Sequence, residues 1–210
     1  MTFPIQSSAV YLITRGKVTD LNFEQEKLQV LDIVRTAVEE KVALVQIREK
    51  QLSGRKLFEL ATGVTELTHG TSTRVLVNDR ADIALAAKAD GVHLATNSLP
   101  CAVIRVHFPK GFIIGVSTHT FDETVQASKT GADFAVLAPV FDTLGKGEPT
   151  GLTLLTEVCE EVRPFPVMAL GGVDETNCDS IFAAGASGIA AIRSLNDPVS
   201  LRSIVAKLRK

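Results

Sequence analysis

The run Val42-Ala43-Leu44-Val45-Gln46-Ile47-Arg48-Glu49-Lys50 sets the architecture of this chain. Its first half is apolar at consecutive positions, as in a strand buried on both faces. Beyond Val45 polar residues alternate. Every second side chain of a strand shares a face, so Gln46, Arg48 and Lys50 are expected to point the same way. Two cations and an amide cannot sit unpartnered in a dry core. At the mouth of a site they would offer several N–H donors to an anion. An edge strand with a solvated face is the competing reading, and it fits the rest of the chain less well.

Seven further Val- and Ile-rich runs resemble this one. Together the eight are residues 10–14, 42–47, 74–78, 91–94, 112–117, 134–139, 166–170 and 188–192. Amphipathic stretches at 23–40, 54–68, 81–88, 99–106, 121–129, 152–162, 175–184 and 199–208 read as helices between and after them. Ser53, the Thr120/Glu123 capping box and Asp197-Pro198 mark helix starts. Gly131 and Gly185 stand where a helix ends in a left-handed residue. Strands apolar on both faces that alternate with helices form a parallel sheet, and eight such units close into a single-domain (β/α)8 barrel. A six-stranded doubly wound sheet is the runner-up.

Composition narrows the function. The chain has 210 residues and a formal net charge of −2, which argues against a nucleic-acid or membrane-surface binder. Cys101, Cys159 and Cys178 match no metal spacing and suit reduced thiols of a cytoplasmic protein. Residues 1–8 lack a basic region, and the apolar run 9–13 is too short for a signal peptide. No segment approaches the length of a membrane span.

In a (β/α)8 barrel, chemistry sits where strands end and the following loops begin. The unusual residues gather there: Thr14-Arg15, Gln46/Arg48/Lys50, Asn78-Asp79-Arg80, His93, Ser117-Thr118-His119, Thr143 to Lys146, Gly171-Gly172 and Arg193-Ser194. Each has a plainer reading. Asn78-Asp79 would cap a helix, His93 would be a satisfied core histidine, and His119 a solvated loop residue. His69 and His107 read as surface, and Asp90 and Asp133 as turn residues at the opposite end. The weight lies in so many polar strand ends occurring together.

Two features point to phosphate. Gly171-Gly172 is expected to open a helix with backbone N–H groups free to approach an oxyanion. The last two strands, with Ile192-Arg193, are where such barrels most often hold phosphate. Arg48, Lys50 and Lys146 would hold a second anion, and Asp79 offers a hard oxygen suited to Mg2+. Two anion sites in one mouth suggest joining a phosphorylated acceptor to a diphosphate-activated donor, although one bisphosphate would fill the same sites.

Gln46-Ile47-Arg48-Glu49-Lys50, Asn78-Asp79-Arg80, Asp90-Gly91-Val92-His93-Leu94 and Ile114-Gly115-Val116-Ser117-Thr118-His119-Thr120 resemble the thiamine phosphate synthase/TenI family. So do Pro139-Val140-Phe141-Asp142-Thr143, Ala169-Leu170-Gly171-Gly172-Val173 and Gly185-Ala186-Ser187-Gly188. The resemblance implies a transferase of thiamine biosynthesis. Hydroxymethylpyrimidine diphosphate would lose pyrophosphate, and thiazole phosphate would capture the resulting cation. Arg48, Lys50, Asn78 and Lys146 would match pyrophosphate-binding positions, and Asp79 a Mg2+ ligand. Gln46, His93, Ser117 and Thr143 would match residues around the pyrimidine. Gly172, Ile192 and Arg193 would match the thiazole-phosphate cradle. Lys50, Ser117, His119 and Lys146 are the candidate catalytic residues.

The sequence also departs from the family pattern. Ala95-Thr96-Asn97-Ser98 replaces the usual Gly-Gln and second metal-binding Asp, Gly145 replaces a Thr, and Arg193 replaces a Ser. These departures keep two alternatives open: a TenI-like tautomerase with His119 as acid/base, and a barrel that binds thiazole or thiamine phosphate without turnover. The expected partners are small phosphorylated molecules and at most a second copy of the chain.

Overall fold

A computed structural model describes residues 8–143, 145 and 147–209. Eight strands alternate with eight helices: β1 (Ala9–Ile13), α1 (Phe23–Glu39), β2 (Leu44–Ile47), α2 (Gly54–Thr68), β3 (Arg74–Asn78), α3 (Ala81–Ala86), β4 (Gly91–Leu94) and α4 (Cys101–His107) make the first half. Then follow β5 (Ile113–Thr118), α5 (Phe121–Lys129), β6 (Phe134–Leu137), α6 (Gly151–Glu161), β7 (Val167–Leu170), α7 (Cys178–Ala183), β8 (Gly188–Ala191) and α8 (Pro198–Leu208). A short 3-10 helix, Ser194–Asn196, precedes α8. All strands pair in parallel, and β8 returns to β1 to close the barrel. The doubly wound alternative is thereby excluded.

Closure explains why the strands read as unbroken apolar runs. One face packs outward against the helices, through residues such as Leu12, Val45, Val77, Val92, Ile114 and Leu137. The other face fills the barrel, where Tyr11, Ile13, Leu44, Leu76, Phe134, Val136 and Met168 meet. Interior positions from different strands lie in register, with Ile13 opposite Gln46, Asn78 opposite His93, His93 opposite Gly115 and Ser117 opposite Val136. Sequence positions far apart thus reach one level of the barrel.

Several expected boundaries shift. Ser53 stands before α2 but makes no side-chain cap; its backbone N–H donates to Asp20 instead. Thr120 caps α5 by accepting from Glu123 N–H, while the Glu123 carboxylate reaches past it to His119 N–H at 2.6 Å. Helix α4 starts at Cys101, because Pro100 occupies its N-cap. Helix α7 starts at Cys178, three residues later than expected: Asp174 and Asn177 side chains accept backbone N–H bonds and hold the preceding stretch as a loop. Asp197 caps α8 with Pro198 in its first turn, and Gly131 and Gly185 both adopt a φ of +92° after their helices.

The face opposite the strand C-termini is tied down by carboxylates just before strands. Asp90 accepts from Val75 N–H at 2.8 Å. Asp133, whose side chain is 6% exposed, accepts from Ile114 N–H at 2.7 Å and pairs with Arg105 at 2.7 Å. The same guanidinium donates to the Gly131 and Phe112 carbonyls. Removing one partner of such a buried pair strands both the cation and an amide, so Asp133→Ala is expected to lower urea-unfolding stability by about 3 kcal/mol. Arg35→Ala, which opens an exposed pair with Asp32, should leave the unfolding midpoint unmoved.

Candidate active site

The strand C-termini surround a cavity of about 290 Å3. Gln46, Arg48, Lys50, Asn78, His93, Ser117, His119, Thr143 and Ile192 all line it. The alternation expected after β2 holds, since Gln46, Arg48 and Lys50 share this wall. Glu49 points the other way and is buried, accepting from Gly16 N–H at 3.0 Å and Val18 N–H at 2.8 Å. That bond fixes the loop after β1 against the loop after β2, and Arg48 N–H donates to Thr14 Oγ1 at 2.8 Å.

A second, open cavity of about 630 Å3 adjoins the first, sharing Thr143, Leu170, Gly171 and Ile192. Gly172, Arg193 and Ser194 line this second one. Gly171-Gly172 does not open a helix as expected; five residues separate Gly172 from α7, and Asn177 Nδ2 donates to the Gly172 carbonyl at 2.8 Å. Gly172 has a φ of +64°, and a Cβ there would lie 2.7 Å from Phe141 Cβ. Its lack of a side chain is what brings the loop after β6 against the end of β7. Arg48, Lys50 and Arg193 take part in none of the ion pairs found among the described residues. Lys146, expected beside them, lies outside the described residues.

The floor of the first cavity is a buried hydrogen-bond chain. Gln46 Nε2 donates to Tyr11 Oη at 2.8 Å, Tyr11 Oη lies 3.2 Å from His93 Nδ1, and His93 Nε2 lies 2.9 Å from Ser117 Oγ. His93 is therefore a satisfied core histidine that also lines the cavity beside Ser117. Burial, with the Arg48 cation adding to it, pushes the His93 pKa down to about 3. Burial pushes the Tyr11 hydroxyl well above its usual range, opposed by the Gln46 bond. Gly115 makes the arrangement possible: a Cβ there would stand 2.4 Å from Phe134 Cζ and 2.9 Å from His93 Nδ1. Tyr11 was missed in the sequence because a lone aromatic in an apolar strand looks like core. Its place two residues before Ile13, on the inward face, was the available signal.

Asp79 caps no helix. Arg80, not Asp79, occupies the α3 N-cap, and the Asp79 carboxylate instead accepts from Ser98 Oγ. Asp79 has a φ of +65°, and Arg80 N–H closes a three-residue turn onto the Asn78 carbonyl at 2.8 Å. Such a non-glycine conformation is costly and is concentrated at functional sites. No cluster of three or more His, Cys, Asp or Glu groups suited to a metal occurs among the described residues. One carboxylate and a hydroxyl, both hard oxygens, nevertheless fit Mg2+, which keeps several waters and leans on substrate phosphates. His119 is exposed on the rim, and its ring Nδ1 is bonded to the Ala138 carbonyl at 2.6 Å.

Burial of neutral His93 gives a pH signature. Between its folded value near 3 and the ordinary value near 6.5, the unfolded chain binds a proton that the folded one does not. This part of the stability is complete above the upper value and is lost as pH falls toward the lower one. On going from pH 7 to pH 5, the urea midpoint of the wild type should fall further than that of His93→Gln. An equal or smaller fall would mean that the imidazole is charged in the fold.

The thiamine monophosphate synthase family model matches residues 10–195. A thiamine-phosphate synthase of Methanoculleus marisnigri is 39% identical over 167 residues, covering 78% of this chain and 79% of that protein. One from Syntrophomonas wolfei is 37% identical over 196 residues, covering 92% and 93%. The thiamine phosphate pyrophosphorylase of Pyrococcus furiosus superposes with a TM-score of 0.81 at 30% identity, over 98% of this chain and 95% of that one. No helix among the described residues is long and apolar enough to cross a membrane. With the barrel, the paired cavities and these similarities in agreement, the chain belongs to the thiamine monophosphate synthase family.

Proposed function

We propose that the two adjoining cavities hold the two substrates of a thiamine-phosphate synthase. The enzyme is a transferase of thiamine biosynthesis that joins hydroxymethylpyrimidine diphosphate to thiazole phosphate with release of pyrophosphate. The C–O bond to the diphosphate breaks with its electron pair going to the leaving oxygen, which leaves a cation on the pyrimidine methylene carbon. The thiazole nitrogen then donates its pair to that carbon, so the new C–N bond restores the electron count. Separation of charge is the costly step, and preorganised cations around the leaving group lower its barrier.

The observation that carries this reading is Arg48 and Lys50, in no ion pair among the described residues, beside a second cavity that ends in Gly172 and Arg193. Arg48, Lys50 and Asn78 are assigned to the pyrophosphate, with Lys146 joining them on sequence grounds. Gln46, Ser117 and Thr143 line the space assigned to the pyrimidine. Gly172, Ile192 and Arg193 are assigned to the thiazole phosphate. Mg2+ at Asp79 would neutralise charge on the diphosphate, with Ser98 Oγ beside the carboxylate. Lys50 and Ser117 are the residues assigned contact with the reacting molecule. The three free, buried cysteines, their thiols pushed up to about 11 by burial, suit a cytoplasmic enzyme.

One observation favours a second reading, an isomerase with His119 as acid/base. With Nδ1–H donated to the Ala138 carbonyl, neutral His119 has its Nε2 lone pair left to accept a proton. A pyrophosphate-release assay separates the two. The synthase reading expects release only with both substrates and Mg2+, a loss on the order of 100-fold in Lys50→Ala, and little change in His119→Ala. Proton exchange on thiazole phosphate without metal, abolished in His119→Ala, would replace the synthase by the isomerase.

A further inference from the structure

The floor of the pyrimidine cavity contains a group that no role has yet absorbed. Tyr11 is fully buried, hydrogen-bonded on both sides, and packed edge-on against Phe134 with ring centroids 5.6 Å apart. An amide nitrogen can only donate, so Tyr11 Oη accepts from Gln46. The single phenolic proton then goes to His93 Nδ1, which must be the unprotonated ring nitrogen. A neutral imidazole with Nδ1 as acceptor carries its proton on Nε2, and that proton points at Ser117 Oγ. Ser117 thus accepts from within the wall, and its own O–H is left for the cavity it lines. Gln46 Oε1, with no hydrogen-bond partner among the described residues, is left for the same space.

We propose that Tyr11 is a positioning residue: by linking the Gln46 amide to His93 it passes the direction set by Gln46 along the Gln46–Tyr11–His93–Ser117 chain, and so makes Ser117 a hydrogen-bond donor to the substrate. The chain has one other self-consistent polarity, in which Gln46 accepts, His93 carries its proton on Nδ1 and Ser117 donates inward. In that state Ser117 would present only lone pairs to the cavity. The two polarities recognise opposite ligand atoms. Tyr11, too deep to touch substrate, therefore transmits to Ser117 the choice of atom it can bind. The donor polarity selects an acceptor atom such as a ring nitrogen, and the identity of that ring rests on the synthase reading. The proton's position on His93 does not.

The 15N spectrum of the imidazoles, with His93 assigned by its loss in His93→Gln, tests the polarity directly in the wild-type protein. Nδ1 should be pyridine-like and Nε2 pyrrole-like; the reverse pattern would overturn the proposal. In Tyr11→Phe, which removes one oxygen, the single pattern should give way to a mixture. The KM for hydroxymethylpyrimidine diphosphate should rise about tenfold, some 1.4 kcal/mol, with a smaller change in kcat. On a Ser117→Ala background the same substitution should add nothing, since its effect passes through that hydroxyl. A full additive loss on that background, or an unchanged His93 spectrum in Tyr11→Phe, would reduce Tyr11 to packing. The wild-type spectrum does not depend on Tyr11→Phe, so an unstable Tyr11→Phe leaves the polarity test intact. Absence of pyrophosphate release with a donor-polarity spectrum would count against the synthase reading and not against the relay.

Discussion

Closing eight parallel strands into a barrel buries both faces of every strand, and this constraint governs where charge can go. A polar side chain on the inward face must find partners inside or emerge at the rim. Gln46, Tyr11 and His93 take the first course, as an uncharged chain in which the His93 ring nitrogens and the Tyr11 hydroxyl all have partners. Arg48 and Lys50 take the second. They leave β2 on the same alternation as Gln46 but one level higher, where solvent and ligand can reach them. The run from Gln46 on β2 into the loop that follows thus joins the neutral floor to the charged rim. Desolvation under that rim keeps His93 uncharged, and the Arg48 cation acts in the same direction.

The rim is electrostatically unfinished. On the opposite face Arg105 and Arg74 are matched by Asp133 and Asp90. At the mouth, Arg48, Lys50 and Arg193 have no carboxylate partner among the described residues. Asp174 lines the second cavity with Arg193 but pairs with none of the three, and Asp79, in its strained turn, accepts from Ser98. A mouth that leaves Arg48, Lys50 and Arg193 open is suited to anions. Thr143, Leu170, Gly171 and Ile192 form the shared wall across which two such anions would sit.

Much of this was legible in the sequence, for a physical reason. Two-sided burial writes each strand as a short apolar run, so all eight strands and their order could be read, and with them the rim residues. Periodicity alone placed Gln46, Arg48 and Lys50 together. What could not be read depends on contacts between distant residues. Tyr11 meets His93 across 82 positions, and nothing local distinguishes it from core. The tie between Ser98 and Asp79 spans 19 positions and converts an apparent helix cap into a rim carboxylate. The start of α7 was misplaced because Asp174 and Asn177 side chains satisfy backbone donors and stop a helix that its composition favours. Gly171-Gly172 reads as the opening of a helix that meets an oxyanion; it stands instead in a loop, and its close approach is to the loop after β6.

Coupling two substrates requires one mouth to grip two phosphorylated molecules at once. Calorimetric titration with inorganic pyrophosphate, in the presence of Mg2+ and with thiazole phosphate already at saturation, reads this out. Pyrophosphate should bind one-to-one with undiminished affinity, and Lys50→Ala should weaken that binding while leaving thiazole phosphate unaffected. If the two ligands instead displaced each other, the mouth would hold a single anion, and the coupling of two substrates in this barrel would be contradicted.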